Sequence, residues 1–160
     1  MPNRKQQIAG QIAESLVVAE LGKRGFLATR FAGNIPDIDI LAYRDTKMFS
    51  VQVKSVRSGS VSLKANRFLD IDQRGKKQCI KGKRQGKKGC IWVVVFLNEE
   101  GGEDYYICKE KDIIESVHKE YSAFLKKNNC QRRRNPESYH HSLTREHLAS
   151  FKDNWGLFEK

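Results

Sequence analysis

Several features that would place a protein in a membrane or a secretory route are missing from this sequence of 160 residues. It has no run of about 18 apolar residues, no signal-peptide pattern and no lipidation motif. We therefore expect a cytoplasmic protein without membrane contacts. An internal repeat is also missing, and the length suits one hydrophobic core, so we predict a single domain over residues 1–160.

The four cysteines do not have the spacing of a metal-binding motif. No two of them lie within four residues of each other, which excludes a zinc-knuckle pattern. Cysteines of a cytosolic protein normally stay reduced. We therefore expect plain thiols and no zinc.

Acidic residues are scarce relative to basic ones. The chain has 30 Lys and Arg residues against 19 Asp and Glu residues, and its formal net charge is +11. A domain with this excess repels itself unless it binds an anionic partner. The most common such partner is nucleic acid, and an anionic membrane surface is the alternative.

The first half of the chain predicts one helix followed by strands at hairpin spacing. Apolar residues at helical intervals favour a helix over 5–23, with Ile8, Ile12, Leu16 and Ala19 on its buried stripe. Residues 58–72 indicate a strand or an extended segment. The predicted strands before it are Phe26–Phe31, Ile35–Tyr43 and Lys47–Arg57, with a turn at residues 32–34 between the first two.

The second half contains the most apolar segment of the chain. Cys90–Leu97 reads CIWVVVFL, which predicts a buried central strand, and Tyr105–Cys108 is expected to pair with it at the edge. Two helices follow in the prediction, Asp112–Lys127 and Leu143–Phe151, the latter capped by Ser142. The core would thus span about 5–110 and a helical extension about 111–160.

Polar residues interrupt two of the predicted strands. Because side chains alternate between the faces of a strand, Asp37 and Asp39 share a face, and so do Gln52 and Lys54. If the strands pair, a carboxylate, an amide oxygen and an ammonium converge, and such a group is costly to bury without a purpose. Coordination of a hard divalent cation would be such a purpose. The alternative is a solvated sheet face with a weak surface ion pair.

Two glutamates of the first helix differ in their neighbours. Glu14 lies three, four and seven residues before Val17, Val18 and Leu21, so it belongs to an apolar face. Glu20 precedes Lys23 and Arg24, an arrangement typical of a solvated ion-pair cluster. Glu14 is therefore the acid expected to point toward the sheet and a metal.

Four motifs occur in order along the chain: GQIAE at 10–14, KRGF at 23–26, PDIDILA at 36–42 and VQVKS at 51–55. Together they resemble the PD-(D/E)xK nuclease superfamily, and the pattern is most similar to archaeal Holliday-junction resolvases and related small endonucleases. The resemblance implies an α/β restriction-endonuclease-like core in the order α-β-β-β-α-β. Helices would flank its mixed central sheet.

Site residues follow from this resemblance position by position. Glu14 takes the place of the helix acid, Asp39 that of the strand aspartate with Asp37 as the alternative, and Lys54 that of the catalytic lysine. Gln52 stands at the acid position of the triplet. Together with the backbone carbonyl of Val53, the acids and Gln52 would hold Mg²⁺, for which Mn²⁺ would substitute.

The resemblance implies a DNA endonuclease that hydrolyses phosphodiesters with a metal ion, with branched or structured DNA as a candidate substrate and RNA as the alternative to DNA. An amide at Gln52 brings no charge and should weaken metal binding, which leaves an inactive DNA-binding member as the alternative. Cutting a four-way junction needs two sites and hence a homodimer.

A basic tract over residues 73–89 contains eight Lys or Arg residues and no acid. It predicts a mobile loop that follows phosphates, although a solvated loop is the alternative. A second basic loop lies after the helix 112–127. The predicted DNA-binding residues of the two segments are Arg74, Lys76, Lys77, Lys81, Lys83, Arg84, Lys87, Lys88, Arg132, Arg133 and Arg134.

Overall fold

The computed structural model describes residues 3–31 and 35–160, and the predicted turn at 32–34 lies outside them. In chain order the elements are α1 (Arg4–Lys23), β1 (Leu27–Arg30), β2 (Ile40–Arg44), β3 (Lys47–Val56), β4 (Ser60–Lys64), β5 (Leu69–Arg74), β6 (Lys77–Lys83), β7 (Cys90–Leu97), β8 (Glu103–Lys109), α2 (Glu110–Lys127) and β9 (His140–Thr144). Short 3-10 turns lie at Ala65–Arg67, Ala149–Phe151 and Trp155–Glu159. Within this part of the chain, neither helix is long and apolar enough to cross a membrane.

Five strands form one mixed sheet in the order β1-β2-β3-β7-β8. The β3–β7 pair is parallel and the other three pairs are antiparallel. β7 is buried along almost its whole length, as its apolar sequence predicts, because other elements cover both faces of the sheet there. The pairing places Val51 opposite Ile91 and Lys54 opposite Val94.

Two hydrophobic clusters lie on the two faces of this sheet. On one face, Val17 and Leu21 of α1 pack against Val51 and Val53 of β3. On the other face, Trp92 of β7 lies in a cluster built largely by α2 and the segments between β3 and β7. Alternation along β3 therefore directs Gln52 and Lys54 to the face opposite α1.

The buried stripe of α1 is not the one that the apolar residues predict. Ala9, Ala13 and Val17 are buried, whereas the side chains of Ile8 and Ile12 are 42% and 40% exposed. The helix is thus rotated by one residue relative to the predicted stripe. The alanines carry no bulk beyond Cβ, so they let the helix axis lie close to the sheet, and this contact overrides the larger apolar area of the isoleucines.

The second strand begins later than predicted. β2 starts at Ile40 rather than Ile35, because Pro36 and Asp37 form a turn in which Asp37 has a φ of 71°. This left-handed conformation is tolerated by aspartate but interrupts a strand. Asp39 still follows the register of the sheet, since its N–H donates to the carbonyl of Val51 at 2.9 Å.

The basic tract folds as a hairpin and not as a mobile loop. β5 and β6 pair in antiparallel fashion, with Gly75 at a φ of 58° in the turn between them. Gln78 of β6 is buried, and Ile71 and Ile80 pack against the core. These few inward residues are enough to order the strands, although basic residues dominate the outward positions.

The order of elements departs from α-β-β-β-α-β in the connection between β3 and β7. The resemblance implies a helix in this connection, but β4, the 65–67 turn and the β5–β6 hairpin occupy it. The predicted helix Asp112–Lys127 is present as α2, which follows β8. This connection still returns the chain to the same end of the sheet, so the parallel β3–β7 pairing is kept.

The last predicted helix, Leu143–Phe151, is wrong. Residues His140–Thr144 form β9, which pairs with β4, so Ser142 lies within a strand and does not cap a helix. The rest of the predicted helix is a turn over 145–148 followed by the 3-10 turn at Ala149–Phe151. Leu143 and Leu148 are buried five residues apart, a spacing that does not place them on one helical stripe. Trp155 and Phe158 are buried and attach the C-terminal turn to the core.

Candidate active site

Asp39 and Gln52 are in direct contact on the sheet face opposite α1. The Asp39 carboxylate accepts a hydrogen bond from the side-chain amide of Gln52, and its Oδ2 accepts a second one from the N–H of Val53 at 2.7 Å. Gln52 is only 5% exposed. The register explains the contact, because Asp39 precedes the Ile40–Val51 pair and therefore lies beside Gln52.

Lys54 lies two residues after Gln52 on the same strand face. Its Nζ is 5.9 Å from the centre of the Trp92 ring, which forms an apolar wall beside it. Burial lowers the pKa of Lys54, and the negative charge of Asp39 partly opposes this shift. The predicted convergence of Asp39, Gln52 and Lys54 is thus present.

The backbone of Val53 is also directed toward Asp39. In a β-strand, the N–H and the carbonyl of one residue are directed to the same edge of the strand. Because the N–H of Val53 donates to Asp39, its carbonyl lies on the Asp39 side as well. The paired part of β2 ends at Ile40, opposite Val51.

Glu14 is paired with a cation away from this group. Its Oε2 accepts from Nε of Arg30 at 2.8 Å, and α1 packs on the face of β3 that carries Val51 and Val53. A metal site that uses Glu14 requires this ion pair to open. Within residues 3–31 and 35–160, no three His, Cys, Asp or Glu side chains are close enough to hold a metal ion. The role of Glu14 stays a prediction.

Asp37, the alternative strand acid, is held by two cations. Its carboxylate lies 2.5 Å from the Arg67 guanidinium and 2.8 Å from Nζ of Lys87. The hydrogen bond from Lys87, aided by the charge of Arg67, lowers the pKa of Asp37 against the opposing effect of burial. A metal ion at Asp37 would have to displace both cations. Its role as an alternative ligand stays a prediction.

Arg67 is a candidate site residue that the sequence does not reveal. It ends the 65–67 turn, and its guanidinium lies 5.2 Å from the centre of the Trp92 ring and 5.4 Å from that of Phe68. The same Trp92 ring borders Lys54. Arg67 falls in the segment 58–72, where the sequence carries no motif, so only the tertiary fold brings it to this place.

The basic residues predicted to bind DNA fall into two groups. Some are engaged within the protein: Arg74 with Asp72, Lys83 with Glu115, Lys87 with Asp37, and Arg84 and Arg132 with backbone carbonyls. Lys81 lies 4.0 Å from Asp72, at the limit of an ion pair. In the described part of the chain, Lys76, Lys77, Lys88, Arg133 and Arg134 are exposed and make no ion pair.

The outer face of β6 carries two exposed cations. They are Lys77 and Lys81, while Gln78 and Ile80 between them face inward. A register shift between Asp70 and Ile71 places Lys83 opposite the buried Leu69, and its Nζ contacts Glu115 of α2. Lys77 and Lys81 therefore remain available to an extended polyanion.

Comparisons with known proteins identify the fold. No protein-family model and no curated protein matches the sequence. Among solved structures, the bacterial homing endonuclease I-Ssp6803I is similar, with a TM-score of 0.55 and 14% identity over 95% of this chain and 91% of that chain. The Holliday-junction resolvase Hjc of Archaeoglobus fulgidus has a TM-score of 0.49 and 14% identity, covering 93% of each chain.

The predicted fold class is confirmed by the likeness to the homing endonuclease and by the topology. The described residues form a mixed five-stranded sheet with helices on its two faces. The chain therefore has a mixed α/β fold of the restriction-endonuclease-like class.

Proposed function

We propose that this protein is a metal-dependent DNA endonuclease whose reacting phosphate binds beside Asp39, Gln52 and Lys54. The observation that carries the proposal is the contact of Asp39 with Gln52 on one sheet face, with Lys54 two residues further along β3. This arrangement lies on a fold shared with a homing endonuclease, and the positive net charge supports a nucleic-acid substrate.

The donor atoms fit a hard divalent cation. The Asp39 carboxylate and the carbonyl of Val53 are oxygen ligands on one side of β3, and Mg²⁺ needs only one or two carboxylates from the protein. The NH2 group of Gln52 now faces Asp39, so the amide would have to turn over to present its oxygen to a metal ion. Glu14 would join after release from Arg30. When bound, the ion would lower the pKa of a water molecule and polarise the scissile phosphate, and Mn²⁺ would substitute.

Lys54 would orient the attacking water by donating a hydrogen bond to it. The desolvated position of the ammonium beside Trp92 strengthens its attraction to an anionic phosphate, because little solvent screens the charge. The protein would thus contribute mainly position and electrostatic stabilisation to an in-line attack.

The basic surfaces would hold the DNA on both sides of the reacting phosphate. Lys77 and Lys81 on the outer face of β6 and the exposed arginines Arg133 and Arg134 would be the main phosphate contacts. Each phosphate that is neutralised adds about 0.9 to the magnitude of the salt slope on duplex DNA. Binding should therefore weaken steeply with salt.

A second candidate function is DNA binding without catalysis. It is favoured by the neutral Gln52 at an acid position and by the Glu14–Arg30 ion pair, since together they leave Asp39 as the one acid of the described residues whose side chain contacts Gln52. Under this function, binding would depend on salt, but no metal would give cut product.

A cleavage panel separates the two functions. The substrates are single-stranded, duplex, flap and four-way DNA and a matched RNA duplex, each incubated with Mg²⁺ or Mn²⁺ and with EDTA as control. Product with a metal ion and none in EDTA supports the endonuclease, whereas salt-sensitive binding with no product under any condition supports the binding module. Preferential cutting of the four-way DNA would also require a homodimer, which analytical ultracentrifugation would detect.

A further inference from the structure

A cavity of about 630 Å³ borders Lys54. Its volume lies in the range of about 300–1,000 Å³ that is typical of pockets for small organic ligands. Its lining comes from β4, from the turn at 65–67 and from the segment 135–140 that leads into β9. A phosphate group alone would not need a cavity of this size.

The walls of this cavity are held together by backbone contacts. The N–H of Ala65 donates to the carbonyl of Tyr139 at 2.7 Å, and β4 pairs with β9 up to the Lys64–His140 position. On the other side, Nε of Arg84 donates to the main-chain carbonyl of Asn66 at 3.0 Å. Because these contacts join all three segments, the cavity is formed before any ligand binds.

The side chains that line the cavity suit the base and sugar of a nucleotide. The lining includes Asn66 and Asn135, whose amides can donate to and accept from the edge of a base, and Tyr139, whose ring can stack on it. The acid Glu137 also lines the cavity and would pair with donors of the base or sugar. In the described part of the chain, Asn66 takes part in hydrogen bonds only through its backbone, so its amide is available. Lys54 and Arg67 place positive charge at the same cavity, where a flanking phosphate would lie.

We propose that this cavity binds the base and sugar of one unpaired nucleotide next to the phosphate that lies at Lys54. A base stacked in a duplex does not reach such a cavity, and the cost of extruding it is least where the base is already unpaired. The inference rests on the proposed function in taking DNA as the ligand, and it narrows the substrate class to DNA with an unpaired nucleotide at the cut.

DNA binding measured in EDTA tests whether the cavity takes an unpaired nucleotide, because the DNA is not cleaved under this condition. Three ligands of the same sequence are compared: a perfect duplex, a duplex with one unpaired nucleotide, and the same duplex with an abasic residue at the unpaired position. We expect the second to bind about tenfold or more tighter than either of the others, because stacking and base contacts are lost when the base is absent.

Two variants show whether the cavity causes the preference for the unpaired nucleotide. Ser62→Trp fills the cavity from β4, and Asn66→Ala removes one base contact. Both should reduce the preference to threefold or less, while the same bulky substitution at Ser58, which is exposed and outside the cavity, should keep it. Thermal melting shows whether each variant is folded. One variant fills the cavity and the other removes a contact, so the test still applies if one of them does not fold.

The outcomes separate this inference from the proposed function. Equal binding of the abasic and the normal unpaired ligand, or a preference that survives both Ser62→Trp and Asn66→Ala, overturns the inference even if the protein cuts DNA. A tenfold preference that both variants remove supports the inference even if the cleavage panel gives no product.

Discussion

The side-chain amide of Gln52 donates a hydrogen bond to the carboxylate of Asp39, so the residue that replaces an acid in the motif is in contact with the aspartate that it would assist. Gln52 is buried and Asp39 also accepts from the backbone of Val53. Asp39 is therefore fixed in position by two donors. The glutamine orients the carboxylate in the absence of a metal ion, which a glutamate could not do because two carboxylates repel each other.

Gln52→Glu should remove the hydrogen bond from the Gln52 amide to Asp39 and add a negative charge in its place. Without metal, the two carboxylates at 39 and 52 repel each other and lower the melting temperature; with Mg²⁺, the added charge should raise metal affinity about tenfold or more. A metal titration followed by thermal melting measures both effects. Gln85→Glu, an exposed position with the same change of charge, is the control. Unchanged metal affinity in Gln52→Glu would remove residue 52 from the metal site.

The Glu14–Arg30 ion pair should compete with metal binding. Arg30→Met frees Glu14, so metal affinity should rise if Glu14 is a ligand, and the additional change Glu14→Gln should cancel the gain. Stability should fall by less than about 1 kcal/mol, since exposed ion pairs contribute little. Calorimetric titration with Mn²⁺ gives the affinities. If Arg30→Met alone leaves the affinity unchanged, Glu14 plays no part in the site.

Asp37 should affect DNA cleavage indirectly, because its carboxylate holds Arg67 and Lys87 in position. Arg67→Ala should lower kcat/KM about tenfold to a hundredfold, because a charged contact near the phosphate is lost. Asp37→Asn leaves Arg67 and Lys87 without their anchor and should lower kcat/KM by a smaller factor, through KM more than kcat. Steady-state cleavage kinetics separate the two parameters. Lys5→Ala, at an exposed position of α1, is the control for lost charge.

Asp104 gives a prediction on pH and stability. Its carboxylate lies 2.5 Å from Arg145 and 3.1 Å from Nζ of Lys152, and these contacts lower the pKa of Asp104 below its usual value of 3.8. Because the folded-state pKa is the lower one, the stabilisation is present above pH 3.8 and is lost as the pH falls through the folded-state pKa.

Asp104→Asn should thus be less stable than the wild type near neutral pH, by less than about 1 kcal/mol because solvent screens the pair. The difference should vanish at strongly acidic pH. Urea unfolding at several pH values measures it. A difference that persists in strong acid would assign the effect to packing or neutral hydrogen bonds, and not to the charge.

The sequence predicts the parts of this fold that depend on local pattern and on motifs. The helix over 5–23, the buried strand Cys90–Leu97 and the helix that begins near Asp112 agree with the structure within a few residues. The contact of Asp39 with Gln52 also follows from strand alternation. Each of these features is determined by residues close in the sequence or by one strand pairing.

What the sequence does not predict depends on tertiary contacts. The hairpin over Leu69–Lys83 is ordered by four inward side chains among many basic ones, and β9 is a strand because β4 lies beside it. Arg67 and its ion pair with Asp37 arise only when the 65–67 turn reaches the sheet. The pairing of Glu14 with Arg30 likewise needs β1 to lie next to α1.

The central claim is that Asp39 and Lys54 catalyse cleavage, and single-turnover kinetics with Mg²⁺ test it most directly. The wild type, Asp39→Ala and Lys54→Ala are compared, and the DNA affinity of all three is measured in EDTA. The account predicts that each substitution lowers the cleavage rate about a thousandfold, the order of loss for a residue that stabilises transition-state charge, while DNA affinity changes little. Cleavage by both variants at the wild-type rate would contradict it.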